Sequence, residues 1–181
     1  MTDSVDFSTI PIIDLNLIAI GKKDQLLDEL RHALLHVGFF YVKNHSIPQS
    51  LLDRAKDLAV QFFDSPQEIK DKSDKILSPS FLGYSKQGFE TTKGKKDNRE
   101  QFDFGDEIDI DFKPGMPEYT KFDEDVQGFR STYLDLLENY KKLALQLTEL
   151  VALSLGLPAD AFDKYFEKDH QNRAKVPIFI F

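Results

Sequence analysis

The sequence contains no cysteine. Disulfides, thiolate catalysis and cysteine-ligated zinc or iron–sulfur centres are therefore excluded. Positive charge is also short: 23 Lys and Arg against 31 Asp and Glu leave a net charge of −8. Nucleic acid and anionic membranes both need a positive field, so neither is expected as a partner. An anionic small substrate stays open, because a few arginines or a metal reverse the field locally. No apolar run approaches the length of a membrane span, and Met1 to Asp6 is polar and acidic, without the apolar stretch of a secretory signal. A cytoplasmic protein is expected.

Several chemical signatures are missing as well. Gly83, Gly88 and Gly94 lie too far apart for a phosphate-cradling loop, and Lys95-Lys96 is not followed by Ser or Thr. No nucleophile-elbow pattern occurs. Glu107, Asp109 and Asp111, with Glu118 further on, imitate a calcium loop. However, the glycine required at its sixth position is Phe112, and Pro114 and Pro117 interrupt the rest. Alternation with Ile108 and Ile110 accounts for these acids as the wet face of a strand. His32 and His36 stand four apart, a spacing that lets two imidazoles share a metal. The acid that would follow the first of them in a metalloprotease is Ala33, so a solvated helix surface is the better reading. The acidic stretch Asp103 to Asp125 and the basic stretch Lys86 to Arg99 read as adjacent solvated loops of opposite sign.

What is present describes one folded domain. The 181 residues, 41% hydrophobic and 30% charged, are enough to bury a core. Ile10 to Leu15 reads as a short buried strand, with Pro11 at its start. An amphipathic helix follows from about Asp24 to Val37, with Leu26, Leu27, Leu30, Leu34 and Val37 on one face and Gly38 as its C-cap. Phe39 to Lys43 is an apolar-aromatic run of the kind covered on both faces. Pro48 opens a second helix that ends before Ser65-Pro66, and Gln67 to Lys72 adds a short turn.

Ser73 to Asn98 reads as loop. Gln101 to Phe112 alternates apolar and polar residues, as a half-buried strand or hairpin with Gly105 as the place for a bulge. The strongest periodicity predicts a long helix from about Asp125 to Leu155, roughly 45 Å at ~1.5 Å per residue. Its buried stripe would include Phe129, Tyr133, Leu136, Tyr140, Ala144 and Leu150. Gly156-Leu157-Pro158 stops it, and a short helix over Asp160 to Phe166 follows. Val176 to Phe181 is strand-like and fully apolar, an open edge that domains rarely leave bare. No internal repeat or dividing linker is found.

The order of these segments resembles the N-terminal region of the non-haem dioxygenases of the isopenicillin N synthase type. The resemblance is carried by Ile10-Pro11-Ile12-Ile13-Asp14-Leu15 and by Gly38-Phe39-Phe40-Tyr41-Val42-Lys43-Asn44-His45 with Ile47-Pro48. Phe62-Phe63 with Pro66 and Lys70, and Gly83-Tyr84 with Gly88 and Asp97-Asn98-Arg99-Glu100, add to it. It extends to about Arg173, and Ser46 departs from it where the family often has glycine. The fold it implies is α+β: the N-terminal helical and strand portion of a double-stranded β-helix (jelly-roll) dioxygenase, with a long bracing helix and an incomplete β-core. Residues 1–175 would form the N-terminal domain and 176–181 the start of the oxygenase core.

The chemistry it implies is oxidation of a C–H bond in a small organic substrate, with 2-oxoglutarate decarboxylated to succinate. The cofactors of the intact family are Fe(II), held by two histidines and a carboxylate, and 2-oxoglutarate. The mark of that site is His-x-Asp with a distal His. Two residues after His32, His36, His45 and His170 stand Leu34, Gly38, Ile47 and Asn172, so none fits. The Arg-x-Ser pair that would clamp 2-oxoglutarate is absent downstream, and the resemblance makes His45 structural.

The expectation is a partial or truncated member without cofactors or an iron site, inactive alone. One alternative is a non-catalytic module that docks on a partner or a full-length relative through its C-terminal edge strand and long helix, and self-association through the exposed C-terminal strand is a further partner expectation. Another is a splicing or gene-model artefact, with the product continuing after Lys175. No catalytic residue is assigned. Within an intact enzyme the resemblance puts Gln101 and Asp103 toward the substrate, with Phe102 and Phe104 toward the core. Tyr84 is a further substrate-binding candidate.

Overall fold

Apolar residues at helical spacing in one half of the chain, and aromatic residues in the other, build two separate cores. The computed structural model describes residues 9–78, 80–106, 126–166 and 172–179. Two compact units result: Met1–Ile47 with Tyr140–His170, and Pro48–Asn139 with Gln171–Phe181.

In the first unit, strand β1 (Ile12–Asp14) leads through the short helix α1 (Asn16–Ala19) to α2 (Lys23–His36) and strand β2 (Tyr41–Lys43). β1 and β2 pair in parallel, with Ile13 opposite Val42. Ile13, Leu15, Leu26, Leu30, Ala33 and Leu150 form the core of this unit. Leu26 and Leu30 are wholly buried, which contributes about 1.5–3 kcal/mol each relative to exposure. The α2 periodicity therefore gives the right face. The Gly38 amide donates to Ala33 O at 2.9 Å and closes that helix.

The run Phe39 to Lys43 is shorter as a strand than expected and is covered on one face only. Phe40 and Val42 pack inward, whereas Phe39 and Tyr41 are exposed, Tyr41 by 62%. Ile12 is likewise exposed beside Tyr41, its partner in register, because only one face of this two-stranded sheet meets α2. Beyond the strands, Asp14 accepts from Asn44 Nδ2 at 2.6 Å and lies 3.1 Å from Lys43 Nζ. The Asn44 hydrogen bond chiefly holds the Asp14 carboxyl below its ordinary range.

The second unit opens with α3 (Gln49–Phe63) and α4 (Gln67–Asp71), each entered from a proline. Strands β3 (Gly83–Ser85), β4 (Thr91–Thr92), β5 (Lys95–Lys96) and β6 (Arg99–Gly105) follow. The long helix α5 (Phe129–Ser154) and strand β7 (Arg173–Phe179) complete the described elements. β3, β6 and β7 form an antiparallel sheet in that order, and β4 and β5 form a separate hairpin.

The segment Ser73 to Asn98 is thus not plain loop. A 3-10 turn at Lys75–Leu77 precedes β3, and β3 draws its partner from β6, a pairing no local pattern announces. The β4–β5 hairpin turns at Lys93 and Gly94, both at positive φ (50° and 78°). A turn of that shape usually takes Asn-Gly or Asp-Gly, so Lys93 concealed it.

Four further expectations are corrected. Gly105 stays in continuous register with Arg173, so no bulge forms there. A Cβ at Gly105 would meet Asn172 O at 2.6 Å, which is why glycine stands at that close approach. The α5 stripe is broken, because Tyr140 and Ala144 are exposed where the helix leaves the second unit for the first. Asp160 to Phe166 forms turns and a 3-10 segment at Asp163–Tyr165 rather than a helix. Finally, β7 begins at Arg173 and is paired along its length with β6, with residues alternately half-buried and exposed. The expected continuation of the β6 strand and the calcium-like acids lie outside the described residues.

Candidate functional site

β6 divides the second unit by the alternation of its side chains. Residues paired directly across an antiparallel sheet share a face. One face carries Glu100, Phe102 and Phe104. The other carries Arg99, Gln101 and Asp103, with Ser85 of β3 opposite Gln101 and Lys175 of β7 opposite Asp103.

The first face is structural. Phe62 packs its ring 4.9 Å from Phe129, 5.2 Å from Phe102 and 5.8 Å from Tyr84, and Phe104 lies 4.8 Å from Tyr133. Lys70, itself buried, donates to Glu100 Oε2 at 2.9 Å and to Phe63 O at 3.1 Å, which ties α4 and the end of α3 to β6. Tyr84 lies on this face, opposite Phe102 and fully buried, with its hydroxyl 3.3 Å from Gln67 Nε2. Burial pushes its phenol well above the ordinary tyrosine range.

The second face is polar and centres on Glu90. Its carboxylate accepts from Arg99 Nη2 at 2.7 Å and from Gln101 Nε2 at 2.6 Å. Lys75 Nζ stands 3.4 Å away and Lys175 Nζ 3.7 Å away. Asp103 bridges the same two lysines at 3.6 Å each, and Asp97 lies 3.0 Å from Arg99. Lys75 is only 3% exposed, with its ammonium 4.7 Å from the Phe89 ring centroid and 5.0 Å from that of Phe81. The Arg99 hydrogen bond above all, then Gln101 and the two lysines, hold the Glu90 carboxyl down to about 2 against the desolvation that opposes them.

Among the described residues, three cations (Lys75, Arg99, Lys175) therefore meet three anions (Glu90, Asp97, Asp103) on this face. A glutamate held this low is ionised at neutral pH, so it serves as a fixed acceptor rather than as a general acid. Three shielded atoms on this face have no partner among the described residues: the acceptor Gln101 Oε1, the hydroxyl Ser85 Oγ and the donor Arg99 Nε. Ser85 and Gln101 are 2% and 1% exposed. A buried polar atom left unpaired costs about 1–3 kcal/mol. Buried atoms of this kind are ordinarily satisfied by ordered water, an ion or a ligand.

Among the substrate-facing candidates, the structure brings Gln101 and Asp103 together and puts Tyr84 on the opposite face of the sheet. Ser85, Glu90, Lys75 and Lys175 were not singled out from the sequence. A signal existed for Glu90, one of only two acids in the otherwise basic stretch Lys86 to Arg99. The other three depend on pairings between distant segments. The half-buried Glu90 also shows that this stretch is more than a solvated loop.

The family described as "non-haem dioxygenase in morphine synthesis N-terminal" matches residues 10–125, more than half of the chain. The chain belongs to the 2-oxoglutarate/Fe(II) dioxygenase family. What it represents is the N-terminal region of such a dioxygenase. The 2-oxoglutarate-dependent dioxygenase frbJ of Dothideomycetidae sp. (strain 11243) is 39% identical over 178 residues, covering 95% of this chain and 48% of that protein. The 1-aminocyclopropane-1-carboxylate oxidase of Dictyostelium mucoroides is 33% identical over 174 residues, covering 91% and 47%. The chain spans about half the length of the curated relatives it matches.

Two solved structures show the shared fold. A full-length Neurospora crassa protein, in complex with alpha-KG and thymine, superposes with a TM-score of 0.70 at 24% identity, over 92% of this chain and 54% of that one. JOX2 in complex with 2OG, Fe and JA gives 0.69 at 25% identity, over 93% and 47%.

The dioxygenase family's iron needs two histidines and a carboxylate on one face. No group of three or more His, Cys, Asp or Glu among the described residues could hold a metal. His32 and His36 lie on exposed turns of α2 with ring centroids 4.4 Å apart and planes tilted by 41°, and no described carboxylate completes a set with them. His45 Nδ1 is buried without a partner among the described residues, and His170 lies outside them. The described donors do not fit the iron site. Among the described residues, no helix is long and apolar enough to cross a membrane.

Proposed function

We propose that this chain supplies the helical N-terminal region and the first core strands of a cytoplasmic 2-oxoglutarate/Fe(II)-dependent dioxygenase that oxidises a small organic substrate. On this reading residues 1–175 are its N-terminal domain, residues 176–181 open an oxygenase core that these residues leave incomplete, and the iron ligands lie outside the 181 residues. The polar face of β6 contacts the substrate through Gln101 and Asp103, and Tyr84 supports the strand from behind. The observation that carries the substrate-facing reading is the set of three shielded atoms without a partner among the described residues, Gln101 Oε1, Arg99 Nε and Ser85 Oγ, on the polar side of a sheet whose other face is locked into an aromatic core. The relatives' names point to different substrates, among them 1-aminocyclopropane-1-carboxylate and homoarginine, so no single substrate is carried over.

The test is anaerobic Fe(II) titration of the purified 181-residue chain, followed by a succinate assay with 2-oxoglutarate and oxygen. Neither stoichiometric iron nor succinate is expected. One iron per chain together with succinate formation would overturn the assignment of the ligands to other residues.

A second reading, a non-catalytic docking module or self-associating chain, is favoured by one feature. β7 ends its sheet, and among the described residues its outer edge pairs with nothing, with Phe179 exposed. A concentration-independent monomer in sedimentation, unchanged by charged substitutions on that edge, would remove the self-association form of this reading.

A further inference from the structure

The Gln101–Glu90 hydrogen bond fixes which end of an amide the sheet presents. A glutamine amide can turn either way, offering an N–H donor or a carbonyl acceptor to whatever it faces. An ionised carboxylate only accepts. With Gln101 Nε2 donating to Glu90 Oε1 at 2.6 Å, Gln101 Oε1 must point elsewhere, and it meets no protein donor. The reversed amide would set two acceptor oxygens against each other. Glu90 is in turn tethered by Arg99 at 2.7 Å, so the orientation does not depend on Gln101 alone. Ser85 Oγ, on the residue directly opposite Gln101 in the sheet, and Arg99 Nε are the other shielded atoms of this face without a partner among the described residues.

We propose that Glu90 acts through Gln101 as a positioning residue that makes this face select uncharged, hydrogen-bond-donating ligands: amides, imides or alcohols rather than carboxylates or amines. The proposal rests on the reading that this face contacts substrate. The ligand's N–H or O–H donates to Gln101 Oε1, and Ser85 Oγ completes the contact as donor or acceptor. A ligand carboxylate would bring a third acceptor to Gln101 Oε1 and Glu90, while both lysines and Arg99 Nη2 are already engaged by Glu90, Asp97 and Asp103. Arg99 Nε, the donor left without a partner among the described residues, is served equally well by the neutral oxygen of an amide or alcohol. A ligand ammonium would find the described acids of this face, Glu90, Asp97 and Asp103, already matched one for one by Lys75, Arg99 and Lys175.

The experiment is an NMR titration of the 15N-labelled chain with four probes of similar size: benzamide, benzyl alcohol, benzoate and benzylamine. Binding is read from the Ser85 backbone amide and the Gln101 side-chain NH2. Benzamide and benzyl alcohol should bind on the order of tenfold more tightly than benzoate and benzylamine, the scale set by leaving one buried group unpaired. Independently of any probe, one Gln101 Nε2 proton should resonate downfield from its bond to the carboxylate, and Glu90→Gln should abolish that shift. In Glu90→Gln the amide is free to turn, and the preference for benzamide over benzoate should fall toward unity. Ser85→Ala, which leaves the Glu90–Gln101 bond in place, should weaken benzamide without admitting benzoate.

Benzoate or benzylamine matching benzamide at these two residues would overturn the selectivity. An unchanged preference in Glu90→Gln would overturn the role of Glu90. Both failures leave the face as a ligand site, whereas probes that shift only residues elsewhere, or none at millimolar concentration, overturn the substrate-facing reading itself.

Discussion

Lys70 and Glu100 form an ion pair of 2.9 Å, both side chains largely buried, and it joins α4 to the central strand of the sheet. Two charges taken from water are held only because each finds the other, and Lys70 finds Phe63 O as well. Lys70→Ala would leave Glu100 buried and unpaired, and a loss of about 3–5 kcal/mol is expected. Urea unfolding of the variant measures it. The double change Lys70→Met with Glu100→Leu should recover most of that loss, and failure to recover would mean the pair also fixes strand position.

Phe62 gathers the aromatic core, with Phe63, Tyr84, Phe102 and Phe129 all within ring contact. Phe62→Ala empties the middle of this cluster and should cost about 3–5 kcal/mol. A loss near zero in thermal or urea unfolding would show that the second unit does not depend on this core.

Glu90 gives the second unit an acid-sensitive term. Its carboxyl falls from 4.5 to about 2 on folding, chiefly through Arg99. A depressed carboxyl contributes stability that is complete above the unfolded value and lost as pH falls through the folded value. The stability difference between the native sequence and Glu90→Gln should therefore be constant above about pH 5 and shrink between 4.5 and 2. Urea midpoints measured across that range would show it, and a difference that did not change with pH would contradict it.

Tyr84 behaves in the opposite direction. Burial raises its phenol, so the folded form favours the protonated ring, and that stability is present below the ordinary tyrosine value and lost as pH rises above it. Absorbance titration at the phenolate band should show the same number of tyrosines titrating near pH ~10 in the native chain as in Tyr84→Phe, because Tyr84 contributes nothing there. Normal titration of Tyr84 would place it at the surface.

Gly83 stands at φ 130°, and a Cβ there would meet Ser73 O at 2.3 Å. Both the backbone conformation and the contact argue that Gly83→Ala displaces β3 and with it Ser85. Loss of about 1–3 kcal/mol is expected, with the amide resonances of Ser85 and Gln101 shifting together. A variant as stable as the native chain, with unmoved resonances, would contradict the close approach.

The sequence by itself determined the elements whose signal is local. The α2 and α3 faces follow from apolar spacing, Pro48 and Pro66 start helices, and Phe102 and Phe104 alternate against Gln101 and Asp103. The order of those segments also carried the dioxygenase resemblance, and the same alternation put Gln101 and Asp103 on one side of β6. Tertiary structure decided what local pattern does not contain. Ser85 became a neighbour of Gln101 only through β3–β6 pairing, and Lys175 a neighbour of Asp103 only through β6–β7 pairing. Tyr84 turned to the aromatic face because strand register, fixed by long-range hydrogen bonds, assigns every alternate residue at once. Glu90 is the clearest case: it stands out along the chain only as an acid among lysines, while its role depends on four groups that folding gathers around one carboxylate.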